Sequence, residues 1–219
     1  MIHHIKQQYQ HVQSRLRVNK KYLVITALLI GCLYSIYAAI PLASPLFEND
    51  YSDVILDKND QILRLYLNSN EQWILPSEFE DKVPYRLKKS ILTFEDQYFY
   101  WHFGVNPVSI WNAWNLNRKY GKVISGASTI TMQLARLSDP KPRTYSNKLL
   151  EIAQAIKIEI KYSKQTILKW YTLHAPFGSN IQGFYTASIF YFNKHPNKLT
   201  WSESATLAVL PNSPGFISP

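Results

Sequence analysis

From Tyr22 to Phe47 the chain carries no charged residue, and beyond Glu48 its apolar positions break into short periodic runs. The first stretch, YLVITALLIGCLYSIYAAIPLASPLF, supplies between Tyr22 and Ile40 or Leu42 the roughly 20 apolar residues a helix needs to cross a bilayer. Further on, Val54-Ile55-Leu56 and Ile62-Leu63-Arg64-Leu65-Tyr66 flank Lys58-Asn59-Asp60, which predicts a small hairpin. Ser77-Glu78-Phe79-Glu80 has the spacing of a capping box, and Pro84 suits a helix start. Apolar spacing then predicts helices over 84–97, 107–119, 128–137, 146–162, 164–173, 181–192 and 201–210. The last opens on a second capping box, Thr200-Trp201-Ser202-Glu203, and stops at Pro211. The predicted fold class is mainly α, with one small hairpin and one N-terminal transmembrane helix.

Charge orients that helix. Lys6, Arg15, Arg17, Lys20 and Lys21 precede the apolar run, and no acidic residue occurs before Glu48. The positive-inside rule therefore predicts a cytoplasmic basic tail over 1–21, a single-pass signal-anchor over 22–42 and a translocated domain over 48–219. A cleaved signal peptide is the alternative, since Ala38-Ala39 and Ala43-Ser44 offer small residues, but its apolar core is usually only about 7–15 residues. With the tail removed, the domain keeps +4 of the net charge of +9. A mildly basic domain beside a membrane suits anionic headgroups or a pyrophosphate. No clustered basic stripe or zinc-finger spacing directs it to nucleic acid. Cys32, the one cysteine, lies inside the apolar run, so neither an internal disulfide nor a cysteine metal site is expected.

Three segments carry candidate chemistry. Glu95 follows Leu87, Ile91 and Phe94 at helical spacing, with Tyr98 beyond it, on or beside the stripe expected to face a core. A carboxylate losing hydration there favours its neutral form and becomes useful for proton transfer near neutral pH. The plainer alternative is a glutamate near a helix end that bends to solvent. Gly126-Ala127-Ser128-Thr129 enters the helix bearing Gln133, so free N–H groups and the Ser128 and Thr129 hydroxyls make an anion cradle or, more simply, an ordinary cap. The Gly-Lys-Ser/Thr ending of a P-loop is missing. Lys148 and Glu151, three apart on one helix face, are either an intrahelical ion pair or a charged pair turned into a cleft. Ser138-Asp139-Pro140-Lys141 matches the letters Ser-x-x-Lys, but Pro140 and the lack of Lys-Thr-Gly make this a chance match.

Taken in order, EDQYFYWHFGV, SGASTITMQLARL, NKLLEIAQAIKIE, SKQTILKWYTLHAPFG and WSESATLAVLPNSP resemble the peptidoglycan glycosyltransferases of glycosyltransferase family 51. These are the polymerase domains of class A penicillin-binding proteins and the monofunctional transglycosylases. The likeness runs from about Asp53 to Pro219, and LSDPKPRT and HAPFG look most like the 1C subgroup. It implies a lysozyme-like helical fold with a lipid-adjacent lobe, in the bacterial inner membrane with the domain periplasmic. Lipid II and the growing glycan chain would be substrates, and membrane lipid and cell-wall synthesis proteins partners.

In that likeness Glu95 is the general base toward the acceptor's GlcNAc 4-hydroxyl, in an inverting displacement that releases undecaprenyl diphosphate. Glu151 and Lys148 assist the diphosphate end, directly or through a divalent cation such as Mg or Mn near Glu151. Asp96, His102, Gly126, Ser128, Thr129 and Gln133 complete the substrate-binding set. The chain departs from the usual pattern at Gln97, Asn112 and Asn147, each in place of an arginine, and at Leu173, in place of an asparagine. These departures leave a second reading, a relative that binds lipid II or a cell-wall partner without polymerising it. A hydrolase on a similar fold would place a carboxylate pair for water attack; the signal-anchor and basic residues point away from it. The transpeptidase domain that follows in class A proteins is expected to be absent from this chain.

Overall fold

The computed structural model describes residues 2–48, 50–59, 61–76, 82–122 and 126–212, with side chains from residue 21 onward. The capping box expected at Ser77–Glu80 and Asp60 at the hairpin tip lie outside the described residues. Two compact units divide the chain, Met1–Pro41 and Leu42–Pro219.

The first unit is one helix, α1 (Ile2–Ala39). Its stretch Lys21–Ala39 has a mean hydropathy of 1.9, long and apolar enough to cross a membrane. Ser35 donates to the carbonyl of Gly31 at 2.8 Å, which satisfies a hydroxyl inside an apolar span. The helix ends at Ala39 rather than at residue 42, because Pro41 cannot donate to the ladder and holds Ile40 out of the helical region.

The second unit begins with an antiparallel hairpin, β1 (Asp53–Leu56) and β2 (Ile62–Tyr66), paired Val54 to Leu65 and Ile55 to Arg64. Asp57 closes its turn by accepting the N–H groups of Asn59 and Gln61, both at 2.8 Å. Those two bonds hold its carboxyl below the ordinary value. Seven helices follow among the described residues: α2 (Tyr85–Glu95), α3 (Pro107–Tyr120), α4 (Ile130–Ser138), α5 (Tyr145–Lys161), α6 (Lys164–His174), α7 (Phe184–Phe192) and α8 (Trp201–Val209). The chain is mainly α with one small antiparallel sheet, as the residue pattern predicts.

Caps account for most boundaries. The side chain of Asn106 accepts from Val108 and Ser109 to start α3, with Pro107 in the first turn and Gly121 left-handed (φ 63°) at its end. Thr144 and Ser163 cap α5 and α6, and the capping box Thr200/Glu203 forms at α8. Two predicted helices are shorter than their periodicity suggests. α7 starts at Phe184, not 181, because Ile181 and Gln182 bridge to Trp73 and Pro176 and Gly183 takes a φ of 86°. α2 stops at Glu95, not 97, because Asp96 turns to φ −159°.

The core joins Leu87 and Ile91 of α2, Ile130 and Leu134 of α4, Ile158 of α5, Ile167 and Tyr171 of α6, Phe184 of α7 and Leu207 of α8. Leu46, a few residues beyond α1, is also part of it. The apolar stripe expected on α2 is half realised: Leu87 and Ile91 are fully buried, while Phe94 and Tyr98 are about half exposed. The helix ends before Tyr98, so that residue leaves the helical phase. Phe94 instead lines an open groove shared with Trp201 of α8.

Candidate active site

Glu95 is the last residue of α2, and its half-buried side chain is met by the neighbouring helix. Gln133 on α4 donates from Nε2 to Glu95 Oε2 at 2.6 Å. Beneath them, on α6, lies Tyr171, 1% exposed. Its hydroxyl makes no hydrogen bond of normal geometry, yet it feels the Glu95 carboxylate. Burial first, and the negative charge of Glu95 second, push the phenol well up from its ordinary value, so it stays protonated; Arg136 acts in the opposite sense. Carboxylate, amide, phenol and guanidinium thus share one neighbourhood.

The loop after Glu95 is built for rigidity. Asp96 is buried, and both of its oxygens accept from His102 Nε2, at 3.0 and 2.9 Å. Asp96 Oδ2 also accepts the N–H of Ile130 at 3.1 Å, at the first turn of α4. Thr129 caps α4 by accepting from Met132, and its hydroxyl donates to the carbonyl of Gly104 at 2.6 Å. Gly104 (φ 79°) lies so close to α5 that a Cβ there would stand 2.9 Å from the Ala155 carbonyl carbon and oxygen. The anion cradle expected at the start of α4 is therefore occupied by the protein's own carboxylate. Asp96, His102 and Thr129, expected to bind substrate, lie in this scaffold, Asp96 and His102 bonded to each other and Thr129 to the Gly104 carbonyl and the Met132 N–H. Gly126 is exposed at the entrance to the turn.

A second ionic knot holds the loop from below. Glu159 on α5 is 9% exposed, and its Oε1 accepts from Thr131 at 2.6 Å and from Lys164 at 2.7 Å. Lys164 also donates to the His102 carbonyl at 2.8 Å. One ammonium thereby ties α5, α6 and the loop together. A buried carboxylate needs such partners, because an uncompensated one costs several kcal/mol, on the order of 3–5.

Beside it, Lys148 of α5 donates to Ser128 Oγ at 2.7 Å and to Glu151 Oε2 at 2.8 Å. With Arg136, Arg143, Thr144 and Tyr145 these three residues line an open cavity of about 490 Å³. Three cations face one carboxylate there, a balance suited to a ligand with at least two negative charges. Gln133 and Arg136 are three residues apart on α4 and share a face, so the cavity and the Glu95 carboxylate flank one stretch of helix.

Sequence reasoning placed Ser128, Lys148 and Glu151 together. It missed Arg136, Arg143 and Tyr171 as members of the site. Arg136 had a legible signal, its spacing from Gln133. Arg143 follows Pro140 and Pro142 in a loop with no periodicity, and Tyr171 lies on the buried, largely apolar face of α6.

Comparison with known proteins bears directly on this arrangement: the transglycosylase family profile matches residues 69–219, which includes every side chain of the site. The chain belongs to the transglycosylase family. The transglycosylase domain is similar to Penicillin-binding protein 1C of Escherichia coli, 39% identical over 175 residues, or 80% of this chain and 23% of that protein. It is similar to Penicillin-binding protein 1A of Aquifex aeolicus, 38% identical over 140 residues (64% of this chain, 19% of that protein). Penicillin-binding protein 1F of Bacillus subtilis is 34% identical over 170 residues, 77% of this chain and 23% of that protein. The chain thus spans under a quarter of the length of these relatives.

A divalent cation near Glu151 is not favoured by the donor set of this transglycosylase domain. Glu151 is a lone carboxylate with an ammonium already on it, and no group of three or more His, Cys, Asp or Glu suited to a metal occurs among the described residues. The positive charge of the cavity comes from side chains.

One further surface is exposed and aromatic. Helix α3 has no acidic residue and exposes Val108, Trp111, Trp114 and Tyr120. The two tryptophan rings lie 5.3 Å apart, and Arg118 stands 5.3 Å over Trp114. Trp101, 88% exposed, and Phe103 add to the exposed aromatic residues just after Glu95.

Proposed function

We propose that this domain polymerises lipid II into β-1,4-linked glycan strands, with inversion at the anomeric carbon and release of undecaprenyl diphosphate. Glu95 takes the proton of the acceptor's GlcNAc 4-hydroxyl. The freed oxygen attacks the anomeric carbon of the growing chain, and the bond to the diphosphate oxygen breaks with its electron pair leaving on the diphosphate. Arg136, Arg143 and Lys148 receive that charge, and Glu151 keeps Lys148 in place. The observation that carries the reading is the Gln133–Glu95 bond of 2.6 Å. Fixing one oxygen of the carboxylate orients the other, which is what a general base requires. The cavity of three cations and one carboxylate supports the leaving-group half.

In this reading α1 anchors the protein once in the bacterial inner membrane, with the basic tail cytoplasmic and the domain on the periplasmic side. The aromatic and basic face of α3 rests against lipid headgroups, where tryptophan, tyrosine and arginine are favoured. Cell-wall synthesis proteins are the partners of such a polymerase.

The test uses the full chain in detergent with labelled lipid II. Wild type yields glycan polymer, and Glu95→Gln lowers the rate by about 10²–10⁴-fold, the usual contribution of a general base. Lipid II binding without polymer from wild type assigns the domain to the non-polymerising reading, and shortening of preformed glycan to a hydrolase.

A further inference from the structure

We propose that Asn147 is a positioning residue, holding in place the loop that presents Arg143 to the cation-lined cavity. The inference rests on reading that cavity as the diphosphate site.

The loop from Asp139 to Thr144 joins α4 to α5 and contains Pro140 and Pro142, each with a ring-fixed φ. It is tied at both ends. At its start Asp139 accepts from Lys141 and from Gln154 Nε2 at 3.1 Å, and these partners hold its carboxyl below the ordinary value. At its end the carbonyl of Pro142 accepts twice, from the Thr144 N–H at 2.9 Å and from Asn147 Nδ2 at 2.8 Å. Both lone pairs of that oxygen are engaged.

The Pro142 carbonyl belongs to the same peptide plane as the Arg143 nitrogen. A bond to that oxygen therefore fixes the orientation of the plane from which Arg143 departs. Asn147 is in turn part of the first turn of α5, where its own N–H bonds the Thr144 hydroxyl at 3.2 Å. One residue after it is Lys148, so the amide registers the loop cation against the helix cation. The short planar amide of Asn147 reaches the carbonyl of the preceding loop and so orders it.

The experiment measures lipid II affinity of the full chain in detergent, a readout that does not need turnover. Four proteins form a double-mutant cycle: wild type, Arg143→Gln, Asn147→Ala and the pair. Asn147→Ala is expected to weaken binding about three- to tenfold, within the range for coupled neighbours, and to add nothing once Arg143 is gone. Asn147→Leu, which keeps much of the volume without charge but cannot donate, matches Asn147→Ala, with thermal midpoints unchanged. Losses that multiply in the double variant, or no loss in Asn147→Ala, overturn the proposal while leaving the cavity reading intact. An Arg143→Gln protein that binds as wild type does overturns the cavity reading, and the proposal with it.

Discussion

Acidification should loosen this domain through one histidine. His174, the last residue of α6, stacks on Phe47 with ring centroids 3.8 Å apart and planes 9° from parallel. Phe47 in turn meets Trp170, so the imidazole sits in an aromatic niche where the chain enters the domain. Burial lowers its pKa from 6.5 to about 4. The folded state thus resists a proton that the unfolded chain accepts. Stability is intact above the unfolded value and falls as pH drops from 6.5 toward 4. Between pH 7.5 and 5.0 the loss from this residue alone works out at about 2 kcal/mol. For a domain of this size that is about 4–8 °C in unfolding midpoint.

The perturbation is His174→Phe, which preserves the stack and removes the titration. The Gln182 bond to the residue 174 carbonyl, at 3.2 Å, is a backbone contact and survives. Thermal unfolding of the full chain in detergent is recorded at both pH values for both proteins. The variant should lose about 2 kcal/mol less on acidification than wild type. Identical pH responses in the two proteins, or an NMR titration of His174 near 6.5, would refute the reasoning.

Two further outcomes follow from geometry. Gly104→Ala combines a left-handed backbone with a Cβ driven onto the Ala155 backbone, and should cost on the order of 2 kcal/mol or more of stability, measured by denaturant unfolding. Trp111→Ser with Trp114→Ser should weaken partition of the domain onto anionic vesicles, measured by co-sedimentation, without shifting the unfolding midpoint; both side chains are exposed.

Where local chemistry decides structure, the chain was readable in advance. The capping box at Thr200/Glu203, the Pro107 start of α3 and the hairpin around Lys58 all follow from residues within a few positions of one another. Long-range contacts were not readable. Gln182 pairs with Pro176 and Ile181 with Trp73, and those bridges took the first turn from α7 despite its apolar run. The same limit applies at the site. Lys148 and Glu151 pair across one helical turn, so their spacing announced them. The Gln133–Glu95 bond spans 38 positions, and the Asp96–Ile130 bond 34. Nothing in either segment alone marks Glu95 for the cleft and Asp96 for the interior. That division was set by a helix ending between them.

The Asp96–Ile130 contact also divides the cleft by how its sides can move. It joins the residue after Glu95 to the helix that carries Gln133, whose amide bonds Glu95. Lys164 and Glu159 bolt the same body to α5 and α6. Glu95 and Gln133 therefore travel together, and thermal fluctuation cannot easily change the distance between them. The α4–α5 loop, with Arg143 and Tyr145 turned to solvent, is held instead at its own two ends, by Gln154 on Asp139 and by Asn147 on the Pro142 carbonyl. A local loosening of the α4–α5 loop would therefore move Arg143 without moving Glu95 or Gln133.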